Sequence, residues 1–243
     1  MAKFTNKGLD HNGIIMSMIS DNLQQVRTQI QTACAVYGRN PDAITLLAVS
    51  KTWGAQAVRE AYAVGQRAFG ENYIQEGVEK IADLADLADI EWHMIGPVQS
   101  NKTRLVAAHF SWVHSVHQLK TAERLSQQRP SHLPDLQVCI QVNLEGTANK
   151  SGLAPGQVRA LAQALVQLPR LRLRGIMVIP EVAPNLEAAS ALFKKARGVF
   201  DEIKGDFEGI DTLSMGMSAD MPAAIREGST LLRVGTAIFG RRM

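Results

Sequence analysis

From Ile44 to the C-terminus the chain alternates between short β-like runs and helical patterns, and no other feature limits the fold as tightly. The β-like runs fall at 44–50, 67–70, 91–95, 111–116, 137–144, 173–179, 212–215 and 231–238. Helical periodicity fills the gaps at about 56–64, 74–87, 99–107, 119–128, 155–167, 186–203 and 222–227. Strand then helix, repeated, demands a parallel sheet with right-handed crossovers. Segments such as Ile44-Thr45-Leu46-Leu47-Ala48-Val49 are apolar on both faces, as a sheet covered by helices requires. Eight such units in 243 residues favour closure into a single (β/α)8 TIM barrel over an open doubly wound sheet. The expected class is thus α/β.

Ahead of the barrel, Ile19, Leu23, Val26, Ile30, Cys34 and Tyr37 recur at spacings of three and four, predicting an extra N-terminal helix that ends at Gly38. Residues 1–15 are polar, contain glycine and lack a period, so they are expected as a flexible extension, with the barrel domain spanning 16–243. Lys and Arg number 26 against 23 Asp and Glu, with no basic run and only 5% aromatics, which argues against a nucleic-acid partner. No apolar run approaches the ~18 residues of a membrane span, and a signal peptide's apolar segment is missing. Cys34 and Cys139 lie far apart in apolar stretches, with no spacing for a metal or a disulfide framework, so a reducing, cytoplasmic setting is expected.

A barrel's active site lies at the C-terminal ends of its strands. Lys51 follows the first. Burial lowers a lysine's pKa and supplies a neutral amine for attack on carbonyls, although a rim lysine can equally snorkel to water. Asn72 and His93 follow or end the next two strands, where they can orient a small ligand; Asn72 can also start a helix and His93 can be a core histidine. The seventh and eighth units end in Ser214-Met215-Gly216-Met217-Ser218 and Arg233-Val234-Gly235-Thr236. Two loops rich in glycine and hydroxyls in this pair of units point to a phosphate.

Five stretches, Leu46 to Lys51, Phe69 to Glu76, Trp92 to Lys102, Leu213 to Ser218 and Arg233 to Gly240, together closely resemble the pyridoxal phosphate homeostasis proteins. The resemblance runs from about Leu23 to Arg241. It implies a fold-type III barrel like the N-terminal domain of alanine racemase, with pyridoxal 5'-phosphate (PLP) held as an aldimine on Lys51. Ser214, Ser218, Gly235 and Thr236 would hold the phosphate, and Arg233 would face the pyridine nitrogen. Asn72, His93, Gly96 and Met215 match pocket-lining positions. Lys150, in Asn149-Lys150-Ser151-Gly152, is a candidate secondary contact. Where many relatives carry a further lysine and a proline after the aldimine lysine, this chain has Trp53-Gly54.

What the resemblance implies is carrying or buffering of PLP in vitamin B6 homeostasis without robust catalysis, with apo forms of PLP-dependent enzymes as recipients. The alternative is an amino-acid racemase. Racemisation needs acid/base groups on both faces of the substrate Cα. Lys51 supplies one, whereas the alanine racemases take the other from a tyrosine of a further β-domain and a partner subunit, for which this chain has no counterpart after residue 240. The same difference favours a monomer. A barrel binding some other phosphorylated metabolite is the third reading, and it would be colourless where a PLP protein is yellow.

Overall fold

The computed structural model describes residues 11–146 and 150–240, with side chains from residue 18 onward. Eight parallel strands close into a barrel in sequence order: β1 (Thr45–Val49), β2 (Ala68–Glu71), β3 (Glu91–Met94), β4 (Trp112–Val116), β5 (Leu136–Val142), β6 (Leu171–Val178), β7 (Thr212–Ser214) and β8 (Leu231–Val234). The seam is β1 against β8, in a register that pairs Thr45 with Leu231 and Leu47 with Arg233. Every expected strand is present. Helices α2 (Ala55–Ala63), α3 (Ile74–Asp83), α4 (Thr103–His109), α5 (Leu119–Gln128), α6 (Val158–Leu165), α7 (Leu186–Asp206) and α8 (Met221–Arg226) follow β1 to β7 in turn.

Two boundaries differ from the sequence reading. Helix α1 spans His11–Val36, so residues 11–15 of the expected extension are helical, as follows when adding a residue to a formed helix costs little compared with starting one. The apolar run 231–238 is not one strand: β8 stops at Val234, Gly235 caps a new turn, and Thr236–Phe239 form the short helix α9. Helix α1 packs against α2, α8 and α9, and Asn22 donates to the Ile238 carbonyl at 2.9 Å. Among the described residues no helix is long and apolar enough to cross a membrane.

Strand alternation sorts the core into two layers. Phe69, Met94, Val113, Ile140, Ile176 and Leu213 fill the shell between sheet and helices. Inside the barrel lie two small apolar clusters, Leu47 with Ala68 and Leu231, and Trp112 with Cys139 and Met177. Burial pushes the Cys139 thiol up to about 12, which leaves it a packing group and not a nucleophile. The rest of the interior is polar: His93, His114, Ser214 and Arg233 are all at most 5% exposed.

Candidate functional site

At the C-terminal mouth the chain leaves β1 through the buried Ser50 into a turn that carries Lys51, half-buried beside the exposed Thr52. From the end of β2, Asn72 approaches the same region; its Oδ1 is buried and has no hydrogen-bond partner. Gly96, after β3, packs on Asn72 so closely that a Cβ would sit 2.1 Å from the Asn72 carbonyl oxygen, so its service is to let the two loops touch. Gly235 performs a similar one after β8, where a Cβ would stand 3.1 Å from the carbonyl oxygen of Val49, two residues before Lys51. Thr236 and Ser218 are exposed on the turns after β8 and β7.

Other expected members of the set lie elsewhere. Met215, directly after the inward-facing Ser214 that ends β7, is fully buried among the apolar residues between sheet and helices. Ser214 sits inside the barrel with its hydroxyl already engaged. His93 is deeper still, since its ring lines a cavity of about 230 Å³ at the opposite, N-terminal mouth, together with Thr45, Glu91, Trp112 and Asp211. Lys150 is held by Glu145 at 2.6 Å and Glu181 at 3.4 Å, which ties the loop after β5 to the loop after β6. Asn149, from the same motif, lies outside the described residues.

A single hydrogen-bonded chain joins these interior groups. His93 Nδ1 lies 3.0 Å from His114 Nε2, and His114 Nδ1 lies 3.0 Å from Ser214 Oγ. Arg233 Nη1 donates to that Oγ at 2.7 Å, and its Nη2 donates to the Val178 carbonyl at 2.8 Å. Burial lowers the Arg233 guanidinium to about 10, still a cation at neutral pH. Burial likewise holds His93 below its ordinary value and His114 well below it, the latter also pushed by its neighbours His93 and Arg233. His114 was missed in the sequence, although the pattern Trp112-Val113-His114 already places it on the inner face of a strand.

These buried imidazoles make stability depend on pH. Both stay neutral in the fold at pH values where the unfolded chain protonates them, so their contribution is full above about pH 6.5 and shrinks as pH falls below it. His114, the more strongly depressed of the two, should account for the larger share of that loss. Urea unfolding at pH 7.5 and 5.0 should therefore show a clear loss of stability, smaller in a His114→Asn variant. Equal losses in the two proteins would refute this assignment.

Sequence reasoning also missed Glu71 and Lys80, which form an ion pair at 2.6 Å with side chains 0% and 3% exposed. Burial raises the Glu71 carboxyl above its ordinary range, while Lys80 and the Ser50 hydroxyl pull it back. Lys80 lies four residues from Glu76 on α3, a spacing that in sequence reads as an ordinary surface pair.

Over residues 19–243 the chain matches the family described as alanine racemase, N-terminal domain. It is 55% identical over 227 residues to a protein of Pseudomonas aeruginosa named pyridoxal phosphate homeostasis protein, covering 93% of this chain and 97% of that one. A protein of the same name from Escherichia coli K12 is 52% identical over 232 residues, covering 93% and 98%. Among solved structures, PipY of Synechococcus elongatus PCC7942 with PLP bound matches with a TM-score of 0.80 at 40% identity, over 91% of this chain and 100% of that one. Alanine racemase from Corynebacterium glutamicum matches with a TM-score of 0.69 at 15% identity, over 93% of this chain and 62% of that one, a likeness of fold alone. With a closed barrel, a lysine at the end of β1 and relatives of this identity along nearly its whole length, the chain belongs to the pyridoxal phosphate homeostasis proteins, within the family of the alanine racemase N-terminal domain.

Proposed function

We propose that this protein binds PLP on Lys51 and carries or buffers it for other proteins, without robust turnover of its own. The residues at the C-terminal mouth fit the group. Asn72 Oδ1 is a buried acceptor awaiting a donor, and the Gly235 turn leaves room that any side chain would take. The phosphate is assigned to Ser218, Gly235 and Thr236; Ser214, with its hydroxyl committed inside the barrel, is assigned to holding Arg233 instead. Lys51 would hold the cofactor at its aldehyde carbon through the side-chain amine. When bound, PLP supplies an electron sink whose strength depends on protonation of its ring nitrogen.

The observation that carries the reading is the state of Arg233. It is 5% exposed, remains a cation at neutral pH and is fixed by Ser214 and the Val178 carbonyl. Facing the pyridine nitrogen, a guanidinium of this kind donates a hydrogen bond and keeps its proton, so the ring stays a weak sink for negative charge. A second acid/base group is also hard to find. Tyr62 donates to Asp89 on the outer surface, Tyr37 packs at the end of α1, and Tyr73 is 53% exposed at the start of α3. Only the shared barrel favours the racemase alternative. Recipients are assigned as apo forms of PLP-dependent enzymes, in the reducing, cytoplasmic setting that suits two buried free thiols.

PLP-loaded protein mixed with a PLP-dependent apoenzyme should restore that enzyme's activity. The same loaded protein, incubated with each L-amino acid and analysed by chiral chromatography, should form negligible D-enantiomer. Turnover on the order of 1 per second or faster would overturn the carrier reading.

A further inference from the structure

The turn that presents Lys51 is strained on one side and clamped on both. Thr52 has φ +67°, in the left-handed region that a β-branched residue rarely occupies; Arg170 is the one other non-glycine residue with positive φ among those described. The Thr52 N–H donates to Glu76 Oε1 at 2.5 Å. On the other side, the Ser50 hydroxyl donates to Glu71 Oε1 at 2.6 Å, and the Ser50 carbonyl accepts from Lys80 Nζ at 2.9 Å. The Lys80 ammonium closes the set by donating to Glu71 Oε1 at 2.6 Å and to Glu76 Oε1 at 3.1 Å. Its three donors are thus all used.

This arrangement is expensive for a merely structural contact. Two charges taken out of water lose solvation that their mutual attraction only partly returns, and apolar residues of similar volume often serve stability as well. What the ionic cluster supplies and an apolar one would not is a grip on backbone polar groups. Those it grips are the carbonyl of Ser50 and the N–H of Thr52, the residues on either side of Lys51.

We propose that Glu71, Lys80 and Glu76 form a positioning unit for Lys51, fixing the peptides that flank it and holding Thr52 left-handed so that the Lys51 amine is presented to the cofactor. The inference rests on Lys51 being the PLP-binding lysine. Lys80→Met would leave the Glu71 carboxylate buried and unpaired, a loss expected to threaten the fold itself. Glu76 is the better target, since its side chain is 30% exposed. Without it, Thr52 is free to relax out of the left-handed region and to carry Lys51 with it. Glycine at position 52 removes the conformational penalty, so it should restore the presentation that Glu76 otherwise enforces.

The test is a PLP titration followed by the visible absorbance of the bound cofactor, with thermal unfolding recorded in parallel. Glu76→Ala should weaken PLP about tenfold, the factor that corresponds to a left-handed penalty of this kind. The double variant Glu76→Ala with Thr52→Gly should return to within about threefold of the parent. A general structural role for Glu76 would not be rescued by glycine at position 52, so an unrescued loss overturns the proposal, as does an affinity within twofold of the parent in Glu76→Ala alone. Borohydride trapping on the parent protein separates the two layers: a pyridoxyl group on another lysine sinks the Lys51 reading and this inference together, whereas one on Lys51 leaves the titrations to decide the inference by itself.

Discussion

Lys51→Ala should abolish the visible absorbance of the PLP-loaded protein and lower its PLP affinity by at least about a hundredfold, roughly 3 kcal/mol, while leaving the fold in place. The large effect follows from losing the covalent linkage, with only phosphate and ring contacts left to hold the cofactor. The small effect on folding follows from the position of Lys51 at the barrel rim, half-buried in a turn that Ser50, Thr52 and their partners hold through other atoms. A rim side chain of this kind contributes on the order of 1 kcal/mol or less to stability, equivalent to a few degrees in the melting temperature. Absorbance titration and thermal unfolding of the two proteins check both halves. Retained affinity and colour in Lys51→Ala would place the linkage elsewhere.

Gly235→Val should be nearly as damaging to binding, for a different reason. With φ of −114°, Gly235 is in a backbone conformation open to any residue, so its requirement is one of space. A Cβ would stand 3.1 Å from the Val49 carbonyl oxygen and 3.4 Å from Val49 Cβ, and a branched side chain adds two carbons in that gap. The end of β1 would be pushed, and the turn bearing Lys51 with it. Valine would also occupy the approach to the turn assigned to the phosphate. We expect PLP affinity to fall by a hundredfold or more, with a stability loss of about 1–3 kcal/mol from overpacking. Unchanged affinity in a folded Gly235→Val protein would remove the β8 turn from the phosphate site.

These effects depend on depth within the barrel, which is where reading the sequence stopped. Eight strand and helix alternations were enough to reach a closed parallel barrel, because period and connection length leave few other packings. The rim positions of Lys51 and Asn72 were legible too, each following an apolar run, whereas Gly235 fell inside the run 231–238 and only the structure ends the strand before it. His93 and Ser214 were not, in the sense that matters. Alternation tells which face of a strand a residue takes but not how far down the barrel it sits, and here His93 lies toward the N-terminal mouth while the Ser214 hydroxyl is engaged inside the barrel.

The ion pair of Glu71 with Lys80 was invisible for a related reason. A lysine four residues after a glutamate is the commonest kind of solvated helix pair, and only the approach of α3 to the end of β2 buries it. In the structure β2 extends one residue past the run 67–70 to include Glu71, and a carboxylate that is fully buried in this way is seldom without a partner. The misread end of β8 has a simpler origin. Ile238 and Phe239 are apolar because α9 packs on the shell and on α1, and a short apolar run does not distinguish strand from helix.

The proposed PLP linkage is made at one atom, the Lys51 Nζ. PLP-loaded protein reduced with borohydride, digested and mapped by mass spectrometry should carry a single pyridoxyl group, on the peptide containing Lys51. A pyridoxyl group found on Lys102 or Lys150 instead, or on no lysine at all, would contradict it.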